Sequence, residues 1–226
     1  DDNFTTIVAA VEEGRRIYDN IRKFVRYALA SNSGEILVML AAPFLGMPLP
    51  LTPLQILWVN LVTDGLPGLA LTVESAEPST MRRPPHAPNE SIFARGLGKD
   101  VIWIGAVLAI LSLAGGYLFW RGGSENWQTV LFTTLTLAQM GNVMALRSER
   151  ESVFKLGLFS NRYMIAAVLL TIALQMVVIY VPFMQNVFET RPLNSAELAV
   201  SFGLGLVLFF AVEFVKWLRR RGQSAQ

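Results

Sequence analysis

The chain has 226 residues, 53% of them hydrophobic and only 16% charged, with a mean hydropathy of +0.43 and a formal net charge of +2. A soluble domain of this length carries about 25% charged residues. Here the apolar residues come in blocks of about 20, enough to cross a hydrocarbon core of about 30 Å, which excludes a soluble protein; the absence of cysteine excludes disulfides and thiolate metal sites.

The chain opens on Asp1-Asp2-Asn3-Phe4, with no initiator Met and no signal peptide, and reads as a piece of a longer protein. Phe4, Ile7, Val8, Val11, Tyr18, Ile21 and Val25 then recur at helical spacing. No proline interrupts before Pro43, so this helix is expected to run on into a first span at 24–47. About 40 helical residues would reach about 60 Å, well beyond the membrane. Residues 1–23 are therefore expected to be a cytoplasmic stalk, and 24–226 the transmembrane domain.

The second span is expected at 52–74, after the turn Gly46-Met-Pro-Leu-Pro50. A polar connection follows, with Met81-Arg-Arg-Pro-Pro85 and the lone His86, read as solvated. The third span is expected at 100–120, bracketed by Trp103 and Trp120 as interfacial anchors. Gly122-Gly-Ser124 turns the chain into a fourth at 127–146; the fifth follows at 163–183. The sixth is expected at 196–218, with Ser195 as its N-cap. The fold class is all-α: a polytopic membrane helix bundle of six transmembrane helices with a stalk extension on the first.

Seventeen Lys and Arg residues fall on one side of this arrangement, against Arg121 and Arg191 on the other. The positive-inside rule makes the rich side cytoplasmic, with both termini there. In a bacterium the membrane would be the plasma membrane. Arg219 to Arg221 are expected to touch anionic lipid headgroups rather than nucleic acid.

A carboxylate at mid-membrane costs at least ~2.5 kcal/mol, which marks it as a functional candidate. Glu35 lies about mid-span in the first helix, with Asn32 on its face; Asp64 lies at the same depth in the second. Asn60, Thr63 and Asp64 stand at i, i+3 and i+4, so their oxygens share a face. Pro67 has no N–H for the carbonyl of Thr63, and Gly65 and Gly68 flank the break. Irregular backbone is tolerated at this depth only where protein buries it or where it lines a cavity. Two carboxylates, amides, a hydroxyl and freed carbonyls together suit a hard cation, Ca²⁺ before Mg²⁺, which gives up its waters reluctantly. The alternative is a pair of interhelical hydrogen bonds. Gln139, with Asn142 at i+3, offers the same site a neutral oxygen or else bonds to another helix. Glu74 and Glu213 lie near span ends, where Glu213 with Lys216 one turn on is expected to reach the interface. Gln175 is read as packing between helices. No phosphate-binding glycine loop, nucleophile elbow or His-rich motif is present, so no catalytic residue is assigned.

Asp1-Asp-Asn-Phe-Thr-Thr-Ile-Val-Ala-Ala-Val-Glu-Glu-Gly-Arg15, Ala30-Ser-Asn-Ser-Gly-Glu35 and Leu57-Trp-Val-Asn-Leu-Val-Thr-Asp-Gly-Leu-Pro67 resemble the C-terminal membrane half of type-II P-type ATPases. The similarity is to the sarco/endoplasmic-reticulum-type calcium pumps and their bacterial relatives. It implies that Asn32, Glu35, Asn60, Thr63 and Asp64 coordinate transported Ca²⁺, with Asp64 shared between two ion positions. It also implies that ATP and Mg²⁺ are handled by phosphorylation, nucleotide and actuator domains of the same chain that lie upstream. Those pumps place a glutamate where this chain has Gln139, so one Ca²⁺ per cycle or a weakened first position is expected. Other readings are a pump half for Mn²⁺ or for Na⁺ and K⁺, an independent secondary transporter or channel, or a purely structural membrane subunit. A secondary transporter predicts an internal repeat, but the second and fifth spans share no polar pattern.

Overall fold

The computed structural model describes residues 2–77, 80–84, 90–91, 93–94, 96–148 and 151–223, and all regular structure among them is helical. Pro85, His86, Arg95, Arg150 and the last three residues lie outside the described residues.

Helix α1 runs unbroken through Asp2–Phe44, 43 residues, or about 65 Å at 1.5 Å per residue. It ends where Gly46, at φ 74°, lets Met47 N–H return to the Ala42 carbonyl. Thr52 then caps α2 (Pro53–Trp58) reciprocally with Gln55. A π-helical turn (Val59–Thr63) leads into α3 (Gly65–Thr72). After the connection come α4 (Leu97–Arg121), α5 (Trp127–Ala145), the short α6 (Val153–Leu156), α7 (Arg162–Tyr180), α8 (Pro182–Phe188) and α9 (Ser195–Gln223).

Two expected boundaries move for local reasons. The fifth span, expected to reach 183, stops at Tyr180: Val181 is extended because Pro182 follows it, and Pro182 opens α8. Asn194, not Ser195, caps α9, its Oδ1 accepting from Ala196 N at 2.9 Å and Glu197 N at 3.0 Å.

Among the described residues four helical stretches are long and apolar enough to cross a membrane: Pro53–Thr72, Leu97–Arg121, Arg162–Tyr180 and Ser195–Arg221. The apolar half of α1 is interrupted by Ser31, Asn32, Ser33 and Glu35, and α5 by Thr129, Thr133, Thr134, Thr136, Gln139 and Asn142. These six polar side chains of α5 are all buried, because α5 is the axis of the bundle. It packs along α9 and α4 and touches α1, α3, α7 and the π turn. Backbones close up where glycines face neighbours: a Cβ on Gly141 would lie 2.8 Å from the Gly205 carbonyl oxygen, and one on Gly34 2.5 Å from Leu108 Cδ2.

One end of the bundle is closed by buried ion pairs. Glu74 and Glu213 are both buried in the protein, where Glu213 with Lys216 was expected to reach outward. Arg147, fully buried, grips Glu74 with two bonds of 3.0 and 2.9 Å, and Asn161 adds a third at 2.8 Å. Glu213 pairs with Lys216 and accepts from Ser152 Oγ at 2.7 Å, while Lys216 donates to the Ala145 carbonyl at 2.8 Å. Residues 151–161, ahead of α7, fold back over these groups, which is why they are not at the surface. Lys23 of α1 meets Glu77 at 3.2 Å. Arg219 binds Asp100 at 2.5 and 3.1 Å, and Arg221 lies over the Trp217 ring.

Candidate cation site

Pro67 shapes the site, although not by simple unwinding. With no N–H at position 67 the α ladder cannot close on Thr63, and the chain widens: Asp64 N–H reaches back five residues to Val59 at 2.9 Å. The Thr63 carbonyl was expected to stand free as a cation ligand. It instead accepts the Tyr27 hydroxyl at 2.9 Å, because α1 runs alongside the turn.

Three helices converge on Glu35. Its Oε2 accepts from Asn60 Nδ2 at 2.9 Å and its Oε1 from Gln139 Nε2 at 3.0 Å. Glu35 and Gln139 are buried; Asn60 is exposed, so the site is walled by α1, the π turn and α5 and open past Asn60. Asp64 is 6% exposed, and neither of its carboxylate oxygens accepts a hydrogen bond. It lies close enough to Glu35 for the two charges to repel, with Tyr27 and Ser31 adjoining. Thr63 Oγ1, Ser31 Oγ and Gln139 Oε1 are likewise buried without partners. Asn32 is half-buried and takes no part in the bonds that tie Glu35 to Asn60 and Gln139.

Tyr27 and Ser31 were not singled out from the sequence, although the signal was present. With Glu35 they stand at i, i+4 and i+8, one stripe of α1 facing the turn. Asn142, fully buried one turn from Gln139, has both amide atoms unpartnered.

Two carboxylates amid neutral oxygens, one of them accepting no hydrogen bond within 3.5 Å, are an unfavourable arrangement unless a positive charge joins them. Among the described residues no three His, Cys, Asp or Glu side chains cluster, so the oxygens this chain adds to the two carboxylates are those of amides, hydroxyls and the backbone. That donor chemistry suits a hard cation.

Residues 48–218 match the family model described as cation transporting ATPase, C-terminus. The calcium-transporting ATPase of Bacillus subtilis is 47% identical over 213 residues, covering 93% of this chain and 24% of the relative. Calcium-transporting ATPase type 2C member 1 of Homo sapiens is 35% identical over 232 residues, covering 100% and 25%. Calcium-transporting ATPase 1 of Bacillus cereus is 34% identical over 238 residues, covering 97% and 27%. The chain spans about a quarter of the length of the curated relatives it matches. Together with its apolar helices, these matches show that the chain is an integral membrane protein belonging to the cation-transporting ATPase C-terminal family.

Proposed function

We propose that this chain is the ion-translocating membrane part of an ATP-driven Ca²⁺ pump that exports Ca²⁺ from the cytoplasm. Asn32, Glu35, Asn60, Thr63, Asp64 and Gln139 are its cargo ligands. The observation that carries this reading is the buried Asp64 carboxylate, whose oxygens accept no hydrogen bond, set beside a Glu35 to which Asn60 and Gln139 already point. The names of the relatives support Ca²⁺ as the cargo. ATP and Mg²⁺ belong to the remainder of the pump. Because neutral Gln139 stands where the calcium pumps it resembles place a glutamate, one Ca²⁺ per cycle or a weakened first position is expected.

The chemistry at the site is exchange of donors. A divalent ion between the two carboxylates removes their repulsion. The amides of Asn60 and Gln139, which now give N–H to Glu35, turn their oxygens toward the ion instead. The opening past Asn60 is where a further helix of the pump supplies the remaining ligands.

Six spans, a cytoplasmic stalk in the first part of α1 and both termini in the cytoplasm complete the reading. The basic segments support it by meeting at one end of the bundle: Lys23 with Glu77, Arg147 with Glu74, Arg219 with Asp100. The opposite end holds Arg191 with Glu125. In a bacterial cell the host membrane is the plasma membrane.

The test is equilibrium ⁴⁵Ca²⁺ binding to the full-length pump. Asp64→Asn should abolish binding and Glu35→Gln should weaken it by about tenfold or more. Unchanged stoichiometry and affinity in both variants would remove the assignment.

A further inference from the structure

The two arms of the broken helix are held by different parts of the bundle. Helix α2 has six residues, too few to stand on its own ladder. It is pinned by three contacts instead. Gln55 Nε2 donates to the Phe188 carbonyl at 2.9 Å. The Trp58 and Phe188 rings meet edge to face, 5.1 Å between centroids. Trp58 Nε1 donates to Gln175 Oε1 at 3.2 Å, an oxygen that also faces Thr136 Oγ1 at 3.5 Å. The other arm, α3, is held by Asn20 on the Thr72 carbonyl at 3.1 Å and by Asn161 on the Ala70 carbonyl at 3.3 Å. Asn60, Thr63 and Asp64 lie in the stretch between.

Of these contacts, that of Gln175 is the one that reaches the residue next to the π turn by a hydrogen bond. Its side chain is fully buried, and its Nε2 has no partner. A leucine or methionine would fill the volume without that cost, so packing alone does not account for a glutamine. Its oxygen is what the fold uses, and the indole it holds belongs to the last residue before the π turn. Asn60, whose amide bonds Glu35, follows two residues later.

We propose that Gln175 is a positioning residue for the cation site: through Trp58 it fixes how Val59–Thr63 enters the site, and with that where the Asn60 amide stands against Glu35. This rests on the reading of Glu35 and Asp64 as cargo ligands. Gln175 touches no ion. It acts through the N-terminal arm, independently of the contacts on α3.

The test uses the full-length pump with Gln175→Leu, which removes the acceptor, Trp58→Phe, which removes the N–H and keeps a ring on Phe188, and the double variant. Equilibrium ⁴⁵Ca²⁺ binding and the thermal unfolding midpoint are measured on each. Each single variant should bind Ca²⁺ about fivefold more weakly, and the double should be no weaker than either single. Affinities within about twofold of the parent in both singles, with only the unfolding midpoint moved, would overturn the proposal. So would a double whose loss is the product of the two single losses. Should Gln175→Leu fail to fold, Trp58→Phe carries the same expectation alone. A parent pump that binds no Ca²⁺ removes the underlying cargo assignment and the positioning role with it. Binding lost in Asp64→Asn but unaltered in both Gln175→Leu and Trp58→Phe removes the positioning role alone.

Discussion

Tyr27 donates its hydroxyl to the carbonyl of Thr63 at 2.9 Å, filling the acceptor that Pro67 leaves without its helical partner. Tyr27→Phe strands that carbonyl in a buried place at a cost of about 1–3 kcal/mol. The expected outcome is a lower unfolding midpoint together with weaker Ca²⁺ binding, since the same turn carries Asp64. Thermal unfolding and ⁴⁵Ca²⁺ binding read the two separately. A variant matching the parent in both would show that the bond matters to neither.

Gln139 is neutral and bonds Glu35 through its amide nitrogen, leaving its oxygen unpartnered. Gln139→Glu adds a carboxylate beside Glu35. In the absence of a cation this destabilises the bundle through like-charge repulsion. With Ca²⁺ present it should tighten binding or raise the number of ions bound per phosphorylated pump. Ion-binding stoichiometry at saturation decides this, and an unchanged isotherm would count against Gln139 as a ligand.

Arg147 and Glu74 form an enclosed ion pair at the basic end of the bundle, with side chains 0% and 7% exposed. Arg147→Met leaves the Glu74 carboxylate buried with Asn161 as its remaining donor, which should cost about 3–5 kcal/mol. Arg147→Met with Glu74→Met should recover part of that loss: the uncompensated charge is gone, while the Gly157 and Leu158 carbonyls still lack the Arg147 donor. Unfolding in detergent measures both; equal destabilisation of the single and double variants would argue that the pair is not the source.

Glu77 supplies a pH dependence. Burial alone would raise its pKa, but the Lys23 ammonium and the Ser148 hydroxyl outweigh burial and hold it below the usual 4.5. A carboxylate depressed in the folded state binds fewer protons there than when unfolded. Its stabilising contribution is therefore complete above about 4.5 and is lost as pH falls through the lowered folded value. Glu77→Gln should be less stable than the parent at neutral pH and show a shallower loss on acidification. Parallel acid-unfolding curves would refute this.

The sequence makes Glu35 and Asp64 conspicuous because each is a charge inside an apolar run, and structure brings them near one another. Pro67 marks where the second helix breaks. The kind of break is not legible, because it depends on Tyr27 reaching across from α1, and no local pattern encodes that contact. Arg147 and Glu74 stand 73 residues apart, so a rule that counts basic residues along the chain reads Arg147 as a loop cation when it is a buried one. Pro182 shows where α7 must stop, but spacing alone carries the span past it. Ser195 has the composition of a cap, and its neighbour Asn194 has the geometry.

Helix α5 turns threonines, Gln139 and Asn142 toward neighbours on both sides of it in the chain, and its longest contact is with α9, which begins 50 residues after α5 ends. During synthesis α5 emerges before that cover exists. Left in hydrocarbon, its hydroxyls and amides would have no partners, so its stable insertion waits on later helices. A ribosome stalled short of Ser195 should leave α5 poorly inserted, and release of the full chain should insert it, as glycosylation mapping would register. The helix at the centre of the bundle is thus the one its biogenesis completes last.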